Sequence, residues 1–508
     1  MTHDVIRLLL DAGEKYPDHI ALRHGQTVCT YGELRTAVTS IGANLQARGV
    51  HEGDRFLFSV TPDPEGVILA LGIIASGGVV ILAHPETTPE LIESRIRAAT
   101  PKYAAVESRL YLASAPLLGS MSRHRGATPT DYRKLPMRHF FTGKRLPGTP
   151  LTAVSTRRLF KETQAALPMA DPTGEAIIAF TSDIDASPKA LTHSRASLGS
   201  AALAFTGLCS VTESSRLYTD QFMFGLAALT CGAEWEMPET TLTTDPVGWV
   251  TSLLHRAPTH TFLLPTHSLL MLNEIDRRGG LKGKPTPGIL VMPAARVLPP
   301  LLRKLNRELP ETTMVTVSGM TELLPSAIVE KSGKIVYTNG DLAGGVILGV
   351  TPRIDNLADE DFNEVVLSGD GLMKGLPAGS DAPANHKKDV LVRRGKSIHP
   401  DLYEQGIMGI GGISSCVIVG VPDSHGDDIV VLVVVPAQKE QNARRLRRKV
   451  EAHLSHVMDA EALPDVVIVQ AEIQLTSHSN KPNRIQLRKD VSGHPEVEAV
   501  LRERAKQV

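Results

Sequence analysis

The hydrophobic positions of this chain form short apolar runs that alternate with segments of helical periodicity. The run at 176–180 predicts a buried strand, and the small-residue pattern at 193–205 predicts a helix after it. Residues 66–83 carry no charge, but a Ser-Gly-Gly break at 76–78 interrupts them. We therefore predict a buried helix and then a strand at 79–82, rather than a membrane span. Strands that alternate with helices are typical of doubly wound sheets, so the predicted fold class is α/β.

The loop after the predicted strand has the residue types of a phosphate site. Residues 181–190 read TSDIDASPKA. A strand, a loop and a helix in this order can bring backbone N–H groups and a helix N-terminus to a bound phosphate. An ordinary surface turn is the alternative interpretation of this segment.

Further segments, in chain order, resemble motifs of the adenylate-forming superfamily of acyl-CoA synthetases, peptide-synthetase adenylation domains and luciferases. Residues 181–190 are similar to its loop T-S-G-[ST]-T-G-x-P-K-G, and 314–322 (MVTVSGMTE) to its Y-G-x-T-E motif. Residues 395–404 (GKSIHPDLYE) resemble G-x-N-I-x-P-x-E-I-E, and 479–488 (SNKPNRIQLR) resemble S-G-K-x-D-R-x-x-L-R. Residues 30–34 (TYGEL) match T-Y-x-E-L, so the resemblance spans nearly the whole chain.

The resemblance implies an architecture and an activity. It implies a large amino-terminal domain at 1–387, built from doubly wound sheets and a β-barrel-like subdomain. A small, mobile α+β carboxy-terminal domain follows at 388–508, with its hinge at Lys388. The implied reaction is the ATP-dependent activation of a carboxylic acid to an acyl-adenylate, followed by transfer to a thiol of CoA or a carrier protein.

Site residues are implied position by position. Lys481 would be the adenylation lysine, Thr321 would contact the α-phosphate, and Glu322 would help to hold Mg²⁺, which prefers oxygen ligands. The nucleotide site would use Thr181, Ser182, Lys189, Gly319, Asp381 and His386. The acid pocket would be lined by Phe222, Phe224, Ala294 and Met320.

The chemistry explains why such a lysine is needed. A carboxylate that attacks the α-phosphate of ATP brings two anions together, so catalysis consists mostly of positioning and charge neutralisation. An ammonium group on a mobile domain can enter the site for this step and withdraw for the next one.

The nucleotide motifs depart from the superfamily pattern, which leaves three functions open. The departures are Asp183, Ala186 and Ala190 in place of glycine, Ser318 in place of tyrosine, a shortened ribose segment, and His386 in place of arginine. The leading hypothesis is an enzyme for a hydrophobic acid, since 321–325 has the T-E-x-L-P form of fatty-acid-handling members. The alternatives are a catalytically degenerate acyl-binding or interaction subunit, and a β-lactone-type closure of the adenylate.

Composition excludes some function classes. A formal net charge of −1 over 508 residues gives no reason to expect nucleic-acid binding. The four cysteines form no CxxC pair, which is typical of a reducing compartment and not of a zinc cluster. The amphipathic helix predicted at 5–12 carries Asp and Arg, so we expect no secretory segment, no membrane span and a cytoplasmic location.

Two basic segments each have two interpretations. Residues 120–150 are rich in Arg, Lys, Pro and Thr and poor in aliphatic residues, which predicts a surface excursion. Its basic side chains are either solvated or attract an anionic partner such as CoA or a carrier protein. Residues 444–449 (RRLRRK) are interpreted as an exposed helix face rather than a binding patch.

Overall fold

The computed structural model describes residues 3–506 with internal gaps. The gaps are 84–88, 114–129, 162, 164–169, 181–189, 282–283, 294–298, 321–322, 331–344, 347–349, 356–363, 370–390, 394–395, 399, 409, 424–426, 438–441, 461 and 474–483.

The helices and strands of the described residues alternate along most of the chain. The strands are β1 (Ile20–His24), β2 (Thr27–Thr30), β3 (Arg55–Ser59), β4 (Val79–Leu82), β5 (Tyr103–Glu107), β6 (Arg138–Thr142), β7 (Val154–Ser155), β8 (Glu175–Phe180), β9 (Ala190–Ser194), β10 (Arg216–Tyr218), β11 (Glu234–Met237), β12 (His260–Phe262), β13 (Ile289–Pro293), β14 (Thr313–Met320), β15 (Leu323–Glu330), β16 (Gly345–Val346), β17 (Val350–Asp355), β18 (Glu364–Gly369), β19 (Leu391–Arg393), β20 (Lys396–Ile398), β21 (Ile413–Pro422), β22 (Asp428–Pro436) and β23 (Val466–Val469). The helices are α1 (Val5–Lys15), α2 (Tyr31–Gln46), α3 (Pro64–Ala75), α4 (Pro89–Ala99), α5 (Ser108–Ala113), α6 (Arg195–Leu208), α7 (Phe222–Leu229), α8 (Pro246–Arg256), α9 (Pro265–Arg277), α10 (Pro299–Glu308), α11 (Pro400–Met408), α12 (Ala443–Val457), α13 (Arg484–Ser492) and α14 (Pro495–Lys506).

Two mixed sheets form the large amino-terminal domain. In the nine-stranded sheet the order is β16-β15-β14-β13-β12-β10-β11-β1-β2, and in the seven-stranded sheet it is β7-β6-β5-β3-β4-β8-β9. The inner strands of both sheets are parallel. Antiparallel strands lie at both ends of the nine-stranded sheet and at the β9 end of the seven-stranded sheet, whose other edge strand, β7, is parallel to β6. The predicted α/β class with doubly wound sheets is therefore confirmed. The predicted β-barrel-like subdomain stays a prediction.

One layer of helices lies between the two sheets. Helices α1, α2, α3, α6 and α7 share a single hydrophobic core with Phe56 of the seven-stranded sheet and Trp235 of the nine-stranded sheet. Helix α3 is buried at every position from Gly66 to Ala75, as its uncharged sequence predicts. The outer face of the seven-stranded sheet packs against α4, and that of the nine-stranded sheet packs against α8, α9 and α10.

The small carboxy-terminal domain has a three-stranded sheet in the order β21-β22-β23. Helices α11 and α12 cover one face, and α13 and α14 cover the other. Strands β21 and β22 pair in antiparallel orientation. The predicted boundary between residues 387 and 388 lies outside the described residues.

A single carboxylate connects three elements of this small domain. Asp465 Oδ1 accepts hydrogen bonds from Arg393 Nη2 at 2.8 Å and from Arg504 Nη2 at 3.0 Å. Its other oxygen accepts the N–H of Val430 at 2.9 Å. Strand β19, strand β22 and helix α14 are thereby held at one point.

The segment TYGEL has a structural role that explains its residue types. Thr30 and Glu33 cap helix α2 reciprocally, each side chain accepting the other residue's backbone N–H. The hydroxyl of Tyr31, which is fully buried, lies 2.7 Å from the carbonyl oxygen of Ala233 and 3.0 Å from that of Ala228. Helix α2 is therefore fixed against α7 and β11.

Two predictions of local structure are wrong. The helix expected from 193 begins at Arg195, because residues 190–194 form strand β9, antiparallel to β8, and Ser194 caps the helix. The excursion expected at 120–150 contains strand β6, whose residues His139 to Thr142 are buried within the seven-stranded sheet. The apolar residues of this strand are aromatic, so the scarcity of aliphatic residues in the segment wrongly indicated a surface excursion.

A buried ion pair fixes helix α1 against helix α6. Arg195 Nε donates to Asp4 Oδ1 at 2.9 Å, and Nη2 donates to the other carboxylate oxygen. The two side chains are 1% and 6% exposed. Asp4 also caps α1 by accepting the N–H of Ile6 at 3.0 Å. One carboxylate thus positions two helices of the central layer.

Replacing Arg195 with methionine should lower the free energy of unfolding by about 3–5 kcal/mol, because it leaves the Asp4 carboxylate buried and unpaired. Urea unfolding followed by circular dichroism measures the change. The control is Arg7→Met, since the Arg7–Asp11 pair is 70% and 61% exposed and should contribute less than about 1 kcal/mol. Equal unfolding midpoints for the two variants would contradict this account.

Candidate active site

Most of the residues predicted for the nucleotide, catalysis, the acid pocket and the hinge lie outside the described residues. These are Thr181, Ser182, Lys189, Ala294, Thr321, Glu322, Asp381, His386, Lys388 and Lys481. Their roles stay predictions. The structure does describe the elements on either side of them.

Two of these segments follow the carboxyl ends of strands that have a parallel neighbour. Strand β8, parallel to β4, ends at Phe180, which pairs with Ala190 across the segment 181–189. Strand β14, parallel to β13, ends at Met320, which pairs with Leu323. Open α/β sheets place their ligands outside the carboxyl ends of strands. Strands β8 and β14 belong to different sheets, and a shared nucleotide site at 181–189 and 321–322 stays a prediction.

The other candidate residues near this edge are only partly described. Gly319 and Met320 are the last two positions of β14. Strand β13 ends at Pro293, immediately before Ala294, and pairs with β14 at Val317. The ends of β13 and β14 are thus neighbours, and we call them the reaction edge.

A small cavity lies between helices α6 and α7 and the nine-stranded sheet. We call it the inner cavity. Its wall consists of Phe205, Cys209, Val211, Leu217, Tyr218, Thr219, Phe224, Ala227, His260, Thr261, Phe262 and Val291.

The histidine in this wall contributes no charge. The Nε2 of His260 lies 2.8 Å from the carbonyl oxygen of Cys209, and Nδ1 lies 2.8 Å from the hydroxyl of Thr259. Burial lowers the pKa of His260 below its ordinary value of about 6.5, so the ring is neutral at pH 7. With both nitrogens already hydrogen-bonded, the inner cavity presents an apolar surface.

The two phenylalanines assigned to the acid pocket lie in different places. Phe224 lines the inner cavity and packs edge-on against Phe205, with ring centroids 4.2 Å apart. Phe222 packs against Trp235 instead, at 6.1 Å. Gly225 permits the close approach of helix α7 to Trp235, because any Cβ at this position would overlap the indole ring.

A second small cavity adjoins the inner one at Thr219 and Phe262, which line both. We call it the outer cleft. It lies beyond the carboxyl ends of β10, β11 and β12, and its other lining residues are Asp220, Gln221, Pro238, Thr241, Leu242, Trp249, Leu263, Leu264 and His267. Unlike the inner cavity, it contains a carboxylate.

A buried ion pair anchors the chain three residues beyond Lys481. Arg484 donates from Nη1 and Nη2 to the two carboxylate oxygens of Glu404, at 2.7 and 2.8 Å. Nη1 also donates to the carbonyl oxygen of Ile418, whose N–H donates to Glu404 at 2.6 Å. The side chains are 11% and 15% exposed. The matched motifs at 395–404 and 479–488 are thus joined by one bidentate contact.

Sequence reasoning missed Arg95. Its Nη1 donates to the carbonyl oxygen of Leu82 at 3.2 Å, and its guanidinium lies 5.1 Å from the ring centroid of Phe180. Burial lowers the pKa of Arg95 to about 10. A cation therefore stands beside the last residue before the segment 181–189. The sequence did contain a sign that Arg95 is buried. It lies three positions after Ile92, which places it on the apolar face of helix α4.

The basic residues of 120–150 are partly described. Arg145 donates to the carbonyl oxygen of Pro150 at 2.8 Å and stacks on Phe141, and Arg133 pairs with Asp131. These two arginines stabilise the local chain. Residues 444–449 lie on α12, where Leu446 is buried and Arg447 pairs with Glu451 and Glu496, as an exposed helix face requires.

The described residues contain neither a membrane-spanning helix nor a cluster of metal ligands. No helix in this part of the chain is long and apolar enough to cross a bilayer. No three His, Cys, Asp or Glu side chains among those described lie together as metal ligands, and Glu322, the predicted magnesium ligand, falls outside them.

Comparison with known proteins identifies the family. The model of the AMP-binding enzymes matches residues 9–376, and that of the AMP-binding enzyme C-terminal domain matches residues 403–480. A feruloyl-CoA synthase of Amycolatopsis sp. is 23% identical over 83% of this chain and 86% of its own length. The long-chain-fatty-acid–CoA ligase FadD13 of Mycobacterium tuberculosis is 23% identical over 86% of this chain and 90% of its own length.

The fold has close relatives among solved structures. The amide bond synthetase McbA from Marinactinospora thermotolerans has a TM-score of 0.71 at 16% identity, over 96% of this chain and 99% of that one. These matches confirm the predicted fold and the predicted class of enzyme, an AMP-forming acid–thiol ligase. This chain belongs to the AMP-binding enzyme family of the adenylate-forming superfamily.

Proposed function

We propose that this protein uses ATP to activate a hydrophobic carboxylic acid as its acyl-adenylate and then transfers the acyl group to a thiol of CoA or a carrier protein. Family membership supports the adenylation step. The apolar inner cavity, next to the reaction edge, is the observation that supports a hydrophobic acid. Val291 of β13 lines this cavity two residues before the end of that strand.

The wall of the inner cavity favours an acid with an apolar body. A neutral His260 and apolar walls stabilise an alkyl or aryl body and would not compensate a buried charge. We infer an acid with an alkyl or aryl body, whose carboxylate would remain at the reaction edge.

The reaction needs two transfers. In the first, a carboxylate oxygen attacks the α-phosphorus of ATP, and the bond to pyrophosphate breaks as the acyl-adenylate forms. In the second, a thiolate attacks the acyl carbon, and AMP leaves with the electrons of the broken C–O bond. Lys481 would neutralise charge in the first transfer, and Thr321 would hold the α-phosphate.

The nucleotide would use the residues that the resemblance implies. Thr181, Ser182 and Lys189 would bind phosphates, with Asp381 and His386 nearer the ribose. Mg²⁺ would add positive charge beside the phosphates, and the carboxylate of Glu322 is an oxygen ligand of the kind that this cation prefers. Arg95 would add a fixed positive charge next to 181–189, where Asp183 and Asp185 add negative ones. Movement about Lys388 would separate the two transfers.

ATP–pyrophosphate exchange over a panel of alkyl and aryl acids tests this function. We expect acid-dependent exchange that falls by about 10²–10³-fold in Lys481→Ala, because a group that stabilises the transition state is removed. Lys489→Ala, at an exposed lysine of α13, is the matched control and should leave exchange unchanged. No exchange with any acid, together with no ATP binding by calorimetry, would instead support a degenerate binding subunit. Product analysis separates thiol transfer from β-lactone closure.

Glu404→Gln should reduce exchange by about ten-fold or more, because the loss of one charge weakens the contact that holds the chain beyond Lys481. The effect should appear in kcat rather than in the KM for the acid, since Glu404 lies in the small domain and not in the acid cavity. Glu451→Gln, which removes one exposed partner of Arg447, is the control. Equal kcat values for wild type and Glu404→Gln would exclude this positioning role.

Phe224→Leu should shift selectivity toward bulkier acids, because it enlarges the inner cavity. We expect the ratio of kcat/KM for a longer acid to that for a shorter one to rise about ten-fold. Phe222→Leu changes the same residue type on the same helix but outside the cavity wall, and its ratio should stay at the wild-type value. If Phe222→Leu alone shifted the ratio, the acid would lie elsewhere.

A further inference from the structure

The edge of the seven-stranded sheet at β7 carries a concentrated positive charge. Residues 132–161 contain eight Lys or Arg and no Asp or Glu, in a chain whose formal net charge is −1. Five of these basic side chains are exposed and form no ion pair with a described acidic residue, namely Arg138, Lys144, Arg157, Arg158 and Lys161. This charge is therefore available to an anionic partner.

A leucine protrudes from the same edge. Leu151 is 95% exposed, whereas the other exposed large hydrophobic side chains of the described residues are at most 46% exposed. It lies at the corner of a turn, which the N–H of Ala153 closes by donating to the carbonyl oxygen of Pro150 at 2.9 Å. Transfer of this side chain out of water would be favourable. We call Leu151 and the five exposed basic residues the β7 surface.

Arg145 holds the turn in place. Its Nη1 donates to the carbonyl oxygen of Pro150 at 2.8 Å, and its Nη2 donates to that of Ala153 at 2.7 Å. Its guanidinium also lies over the ring of Phe141 in β6, 4.7 Å from the centroid. Because these contacts lie on both sides of Leu151 in the chain, the exposure of the leucine is a fixed feature of the fold.

The leucine and the arginines are close together and far from the nucleotide segment. Leu151 and Arg157 are separated by six residues, which span at most about 22 Å when fully extended. Strand β7 is the last strand of its sheet and lies five strand spacings from β8, or about 24 Å. Changes at the β7 surface therefore leave the end of β8 and the segment 181–189 intact.

An anionic lipid bilayer fits this combination of charge and shape. Lys and Arg side chains are attracted to anionic headgroups, and an apolar side chain between them can enter the region of the acyl chains. A folded protein would need a groove that complements the protruding leucine, but a bilayer accommodates a convex apolar residue without one. Nucleic acid would use the positive charges and leave the leucine in water.

We propose that the β7 surface binds an anionic bilayer, with Leu151 inserted between the headgroups. The association would be peripheral, and salt would weaken it because the charges are exposed. The inference goes beyond the proposed function, since vesicle binding requires neither the acid nor ATP. The exchange assay and the vesicle assays can therefore fail independently of each other.

Sedimentation with vesicles tests the charge. The wild type should bind vesicles of phosphatidylcholine with about 30% phosphatidylserine at least about ten-fold more tightly than pure phosphatidylcholine, and less tightly as salt is added. The double variant Arg157→Gln, Arg158→Gln should bind the anionic vesicles about 10- to 30-fold more weakly, since each basic residue near such a surface strengthens binding about five-fold. Its circular dichroism should match that of the wild type.

The matched control is Arg444→Gln, Arg445→Gln, which removes the same charge from two exposed neighbours on α12 and should bind as the wild type does. Equal affinity for the two kinds of vesicle would overturn the inference. So would equal losses in the two double variants, because net charge rather than the β7 surface would then determine binding. Binding to heparin without binding to the anionic vesicles would also overturn it, in favour of an acidic macromolecule.

Fluorescence of Leu151→Trp tests the insertion. The natural tryptophans, Trp235 and Trp249, are 0% and 4% exposed, so the emission of the introduced indole can be followed against theirs. We expect this emission to move to shorter wavelength with anionic vesicles and to stay unchanged with phosphatidylcholine alone. Val247→Trp, at another exposed apolar position, is the control and should show no shift. An unchanged emission from Leu151→Trp in protein that sediments with the vesicles would overturn the insertion.

Discussion

Both large sheets pack against one shared layer of helices, and the rest of the structure depends on that packing. The layer has apolar residues on both sides, so its polar groups must be compensated internally. The charges of Asp4 and Arg195 compensate each other in a buried ion pair. The hydroxyl of Tyr31 on α2 is compensated by a hydrogen bond to the carbonyl oxygen of Ala233, just before β11. Helix α3 needs no such compensation for charge, because it has no charged residue between Gly66 and Ala75. Because the layer is common to both sheets, a displaced helix would disturb two cores at once.

The same layer forms part of the candidate acid site. Helices α6 and α7 contribute one wall of the inner cavity, and strands β10, β12 and β13 contribute the other. The shape of that cavity is therefore determined by how closely the helices approach the nine-stranded sheet. Gly225 sets this approach on α7, because Trp235 occupies the space that a side chain would need. Residues remote from the reaction edge thus control the shape of this candidate acid site.

The sequence predicted those parts of the fold that local patterns determine. The α3–β4 unit follows from an uninterrupted apolar run and its break, and the family follows from motifs in chain order. Strand β9 was missed because its residues Thr192, His193 and Ser194 do not alternate in polarity, and only pairing with β8 makes them a strand. Contacts between residues that are far apart in the sequence could not be predicted either. Glu404 and Arg484 are 80 positions apart, and each looks like an ordinary surface charge in its own segment. The outer cleft combines the ends of three strands, so no single stretch of sequence contains it.

The triple contact of Asp465 has a mechanical consequence for the small domain. The chain enters this domain just before β19, and Arg393 of that strand is held by a carboxylate that also holds helix α14 and strand β22. A rotation of the chain that precedes β19 would therefore rotate the whole three-stranded sheet with it. It would not separate β19 from the domain. The domain would rotate as one rigid body, and the segment anchored at Arg484 would rotate with it.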